Sequence, residues 1–138
     1  MIGIVVVSHG ILSEHLVSAA SLILGEAKSV KAVTFLARES LEDLRRKTKE
    51  ATEEFATEGC LILTDIMGGS ATNVSIEIMK SHENVYVVTG VNLPMLLEAI
   101  NSRENTDLKT LAAQVSNSGV RSIINLKEFF EKRAAKKV

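Results

Sequence analysis

The chain has 138 residues, 46% of them hydrophobic and 24% charged, which fits one soluble globular domain with a real core. A net charge of −1 excludes a general attraction to nucleic acid or anionic membrane. No apolar run reaches the roughly 18–20 residues that cross a bilayer.

Single Cys60 cannot form an internal disulfide, and with only three histidines it leaves too few soft ligands for a structural zinc site. No metal or cofactor is therefore expected. The start, MIGIVVVSHG, lacks a basic n-region and turns polar too early for a signal peptide, so a cytoplasmic location is expected.

Ile2–Val7 is continuous and β-branched, as in a strand buried on both faces. Ser13 then offers a cap for a helix with Leu16, Ala19, Ala20, Ile23 and Leu24 on one face, stopped by Gly25. Val30–Leu36 reads as a second strand. Ser40 with Asp43 resembles a capping box, opening a helix with Leu41, Leu44, Thr48, Ala51 and Phe55 at helical spacing.

Cys60–Thr64 is a third buried strand, ending at Asp65 and a Gly-Gly-Ser turn from which Ala71–Ser81 is helical. Val85–Thr89 is a fourth strand. Pro94, the only proline, suits the first turn of a helix through Ile100. Asp107–Asn117 is another helix, stopped near Gly119; Val120–Leu126 is a weaker fifth strand, interrupted by Arg121 and Ser122. Glu128–Lys137 closes the chain as a short basic helix.

No linker or repeat interrupts this order, so residues 1–138 form a single domain, with a core over 1–126 and a basic helix over 127–138. Alternating strands and helices imply an open, doubly wound α/β domain with a mostly parallel sheet. Ligands of such sheets bind beyond the carboxyl ends of the strands, where strand order reverses. That rule selects Ser8–Leu12, Asp65–Asn73 and Gly90–Pro94.

His9 follows six apolar residues and precedes Gly10, so its imidazole leaves the strand end toward the crevice; the competing reading is a loop histidine bonded only to backbone. Asp65 stands at the corresponding end of another strand. There a carboxylate can hold one ring nitrogen and leave the other nucleophilic, or can simply anchor its loop.

Gly68, Gly69 and Ser70 before a helix could cradle phosphate, because glycines admit a close backbone approach and helix-start amides favour an anion. Ser8, Ser70, Thr72 and Asn73 can add donors or act as local caps. Gly90, Val91 and Asn92 close the other side or form a turn. His15 reads as an exposed helix residue, His82 as a structural one at a helix end, and the methionines as packing. Met67 and Met95 can line the mouth. Lys132, Arg133, Lys136 and Lys137 read as a solvated helix end.

Val5-Val6-Val7-Ser8-His9-Gly10, Asp65-Ile66-Met67-Gly68-Gly69-Ser70 and Gly90-Val91-Asn92-Leu93-Pro94-Met95-Leu96, in this order and spacing, resemble the IIA family of mannose-type sugar phosphotransferase systems. The likeness runs through about residue 126. It implies that His9 is phosphorylated by the phosphocarrier HPr and passes the group to a IIB protein. That protein phosphorylates sugar during uptake through a IIC/IID permease, which could bring the chain to the inner face of the membrane.

In the same way Asp65 orients His9, and Ser70 with nearby amides holds the phosphoryl oxygens. The resemblance further implies strand order 2-1-3-4 and a homodimer exchanging an antiparallel fifth strand, here Arg121–Leu126. Ala71 stands where many members have proline, and Met67 where an aromatic is common. The chain ends without a second domain, so the IIB partner is expected to be a separate polypeptide.

Three alternatives differ in chemistry. A receiver domain would carry phosphate on Asp65, but needs an acidic pair where Ser8 and His9 stand. A flavin or nucleotide module would need a glycine-rich G-x-G-x-x-G loop and ring-stacking aromatics, whereas the chain has no Trp and one Tyr. The phosphotransferase subunit of dihydroxyacetone kinases has a similar histidine but fits G-G-S and G-V-N-L-P less well.

Overall fold

A computed structural model describes residues 1–136; Lys137 and Val138, the end of the expected basic helix, lie outside the described residues. Four strands, β1 (Gly3–His9), β2 (Val30–Phe35), β3 (Cys60–Thr64) and β4 (Val85–Thr89), pair in parallel in the order β2-β1-β3-β4. Between and after them run α1 (Leu12–Leu24), α2 (Leu41–Glu53), α3 (Ser70–Ser81), α4 (Leu93–Ser102), α5 (Leu108–Arg121) and α6 (Leu126–Lys136). No helix among the described residues is long and apolar enough to cross a membrane.

The period of two along β1 divides the core. Ile4 and Val6 face a cluster with Leu61, Leu63, Leu96 and Leu111, roofed by α1, α4 and α5. Val5 and Val7 face Leu44, Ile62 and Val74, roofed by α2 and α3. Each such aliphatic side chain contributes about 1.5–3 kcal/mol on burial. β1 therefore anchors both layers and presents its last residue, His9, on the α2–α3 side.

Gly3 is demanded by packing, since a Cβ there would fall 2.0 Å from the Phe55 ring. At the far end of the sheet the buried Arg103 guanidinium donates to the carbonyls of Ile2, Lys28 and Ser29. Those bonds satisfy the charge where β1 and β2 begin.

Two local expectations are corrected. Ser13 does not cap α1: Ile11 occupies that position, and Ser13 lies buried in the first turn with its hydroxyl donating to the Val33 carbonyl. Its own N–H is received by Ser8 Oγ at 2.7 Å, so the cap comes from the strand and not from the helix.

The second correction concerns residues 120–126, which form no strand. Helix α5 continues through Gly119 to Arg121, and α6 starts at Leu126, two residues before the expected Glu128. Gly119 is a contact and not a stop; a Cβ there would lie 2.6 Å from Met95 Cγ. An extended segment also needs a ladder partner, and no strand among the described residues offers one to residues 122–125. Asn125 instead accepts the Glu128 N–H and opens α6.

Candidate active site

β1 and β3 are neighbours, but their onward connections lead to opposite sides of the sheet, so a crevice opens beyond their carboxyl ends. His9 ends β1 and Asp65 follows β3. The two meet there: Asp65 Oδ2 stands 2.7 Å from His9 Nδ1 and accepts the His9 backbone N–H at 2.8 Å. Asp65 Oδ1 accepts the Ile66 N–H at 2.8 Å.

Both carboxylate oxygens are thus occupied, with a side chain only 12% exposed, while His9 keeps 52% of its own side chain in contact with solvent. Partial burial works against ionisation of Asp65. The donors from the His9 amide, the His9 ring and the Ile66 amide outweigh it, holding the carboxyl below its ordinary value. Asp65 is an anion at neutral pH, so its Oδ2 is an acceptor suited to an N–H on Nδ1, the tautomer whose lone pair is on Nε2.

The α3 start completes the mouth. Gly68 adopts φ +82°, a conformation that favours glycine, and Gly69 occupies the N-cap of α3 without any side-chain cap. A Cβ on Gly69 would lie 3.0 Å from His9 Cε1, so the missing side chain lets the imidazole sit against the helix start. By contrast α2 is capped by Ser40, α4 by Asn92 and α5 by Asp107. The first-turn amides of α3 therefore remain available to an anion, with Ser70 half-buried beside them.

The other expected residues are placed differently. Ser8 is fully buried, with its hydroxyl on the Ser13 amide. Thr72 is buried and donates to the Ile66 carbonyl, while standing 2.8 Å from Thr64 Oγ1 and 3.2 Å from Thr89 Oγ1. It is a strut beneath the Asp65 loop.

Asn92 caps α4 through Met95 N–H and donates to the Gly119 carbonyl, tying the fourth loop to α5. Asn73 is exposed on α3, without a side-chain hydrogen bond among the described residues. Gly10, at φ +58°, donates its N–H to Phe35 O and turns the chain away from His9.

Met95 is 3% exposed and belongs to the core, whereas Met67, at 71%, stands open at the rim with Ile66. Phe35 had carried no functional signal; its ring lies 6.1 Å from that of His9, tilted by 57°. Register could have found it, because Phe35 is the β2 partner of His9. Elsewhere, burial pushes the Cys60 thiol up to about 12, which removes it as a nucleophile at neutral pH. Among the described residues no three His, Cys, Asp or Glu side chains are grouped to hold a metal ion.

A family model described as "EIIA-man: PTS system fructose IIA component" matches residues 3–116. The mannose-specific EIIAB component of Escherichia coli K12 is 33% identical over 127 residues, covering 88% of this chain. The chain spans only 39% of that relative's length. The fructose-specific EIIA component of Bacillus subtilis is 30% identical, with 96% of this chain and 91% of that protein covered.

Among solved structures, EIIA from Streptococcus agalactiae superposes with a TM-score of 0.87 at 30% identity, covering 93% of this chain and 99% of that one. The mannose/sorbose-specific IIA subunit from Enterococcus faecalis gives 0.84 at 26% identity, covering 90% and 93%. Fold, match length and identity agree: the chain belongs to the mannose-type IIA family of the phosphotransferase system.

Proposed function

We propose that this protein is a phosphoryl carrier of sugar uptake, with His9 Nε2 as the atom that bears the group. The observation that carries the reading is the 2.7 Å contact of His9 Nδ1 with Asp65, made while the ring rests against the uncapped start of α3. Asp65 keeps the proton on Nδ1, so Nε2 attacks as a neutral nitrogen and the resulting phosphoimidazolium shares its N–H with a fixed carboxylate. The unpaired first-turn amide of Ser70 and the Ser70 hydroxyl receive the phosphoryl oxygens, while the Gly69 N–H is spent on the Ile66 carbonyl. Ser8, Thr72 and Asn92, spent on capping and strut bonds, are left out of this set.

HPr is the donor in this reading. A IIB protein is the acceptor that phosphorylates sugar during permease-mediated entry, consistent with the named relatives. Transfer needs placement and oriented dipoles more than acid–base power. A phospho-aspartate at Asp65 is disfavoured because both its oxygens already accept hydrogen bonds. A homodimer is part of the reading, supported by the uncovered apolar residues after Gly119.

The test is incubation with phosphoenolpyruvate, enzyme I and HPr, followed by measurement of acid-labile, base-stable phosphate. One phosphate per chain is expected on the wild type and none on His9→Ala. Label on His15 or His82, or base-labile label on Asp65, would overturn the assignment.

A further inference from the structure

The four loops at the carboxyl end of the sheet are residues 10–11, 36–40, 65–69 and 90–92. Together with the first turns of the helices they open, they contain one cation of fixed charge, Arg38. The three acidic or basic residues of these loops have different fates. Asp65 is engaged by His9, and Glu39 by Lys47 and the Leu36 N–H. Arg38 is exposed and makes no ion pair or hydrogen bond with other described residues.

Its backbone, by contrast, is held. Glu39 N–H donates to Leu36 O at 2.9 Å, closing a turn, and Glu39 Oε1 receives the Leu36 N–H in return. Lys47 reaches over from α2 to Glu39 and to the Thr34 carbonyl. A turn of this kind keeps its ends within about 7 Å.

That turn follows Phe35 directly, and Phe35 is the strand partner of His9, about 4.8 Å away across the ladder. The Leu36–Ser40 loop also leads to α2, on the face of the sheet that His9 occupies. The His9 mouth thus has the α3 amides on its β3 side and an anchored turn carrying an unpaired guanidinium on its β2 side.

We propose that Arg38 is a further residue of the transfer site, engaging the phosphoryl group in transit between the donor and His9. This rests on the phosphocarrier reading. In the step, the donor P–N bond breaks as a P–Nε2 bond forms on His9; the donor departs as neutral imidazole, and the Nδ1 proton of His9 stays on the Asp65 hydrogen bond. The moving group is strongly negative on its three equatorial oxygens. The α3 amides meet them from one side, and a planar guanidinium is suited to meet them from the other. A flexible side chain on a rigid turn lets the cation swing in for transfer and withdraw afterwards.

The experiment measures initial phosphorylation rates from phospho-HPr for wild type, Arg38→Ala and Arg38→Lys, against HPr concentration and at low and high salt. Arg38→Ala is expected to lower kcat by about 100-fold, persisting at high salt, with Arg38→Lys recovering part of the loss. A rate within twofold of wild type overturns the proposal. So does a loss confined to KM that vanishes at high salt, which would mark Arg38 as a docking charge. Wild-type label on His9 keeps the phosphocarrier reading standing in both cases; absence of that label would instead remove the reading itself.

Discussion

The carboxyl end of the sheet and the C-terminal segment are both exposed, yet they are built on opposite principles. At the sheet end the side chains that shape the site have partners in the same chain: Asp65 has three donors, Ser8 holds Ser13, and Thr72 braces the loop. After Gly119, apolar side chains stand without cover, with Val120 at 70%, Ile123 at 78% and Phe130 at 60% exposure, and α6 buries none of its residues. The first region is finished by its own chain. The second has the composition of a surface that a neighbour completes.

The largest expected effect separates chemistry from stability within the finished region. Asp65→Ala leaves the ring of His9 without its fixed tautomer and orientation, and should slow phosphorylation by about 100-fold, since misplacement of a reacting group costs that much. Folding should survive, because Asp65 lies at the rim and not in either core cluster. Transfer assays beside thermal melts check both halves. The same carboxyl gives a signed pH dependence: its value is depressed in the folded state, so its stabilising contribution is full above the ordinary carboxylate value. That contribution is lost as pH falls through the depressed value. Acid titration of wild type and Asp65→Asn should therefore diverge at neutral pH and converge in acid.

A smaller effect marks the boundary between the two regions. Gly119→Ala inserts a methyl 2.6 Å from Met95 Cγ and 2.7 Å from Met95 Sδ, where α5 crosses α4. Overpacking of this kind costs about 1–3 kcal/mol, with the lower end favoured by the flexibility of methionine. Because Asn92 donates to the Gly119 carbonyl, the shift should also reach the fourth loop. Denaturant melts of Gly119→Ala check the magnitude; an unchanged or raised midpoint would show that α5 reads Gly119 as an ordinary helix position.

How far the sequence was legible follows the same division. Buried strands announce themselves by continuous β-branched runs, and Ser40 with Asp43 forms the capping box that its spacing predicts. His9 and Asp65 were legible because strand ends in a parallel sheet converge on one crevice. For Ser8 and Thr72 the choice between phosphate donor and local cap stayed open, because a hydroxyl beside a site looks the same in sequence whether it faces ligand or backbone. Only the fold shows that Ser8 Oγ is taken by the Ser13 amide. Gly119 failed for a related reason: a helix-ending glycine and one that admits a crossing helix leave the same signature.

The stretch at 120–126 fails differently, and the last prediction turns on it. Its β-branched residues, Val120, Ile123 and Ile124, favour a strand, but strand propensity is realised only against a ladder. Among the described residues of one chain, 122–125 have none, and the flanking helices set the local structure. If a second copy supplies the ladder, Ile123→Ser with Ile124→Ser should leave the stability of the single chain within about 0.5 kcal/mol, since both side chains are exposed. The same pair of changes should shift sedimentation from dimer to monomer. A wild type that sediments as a monomer across the micromolar range would sink the dimer outright. A wild-type dimer unaffected by the double change would move the interface elsewhere on the molecule. Transfer to His9 from phospho-HPr should persist in the monomeric variant, because every group assigned to the phosphoryl site comes from residues 9–70 of one chain.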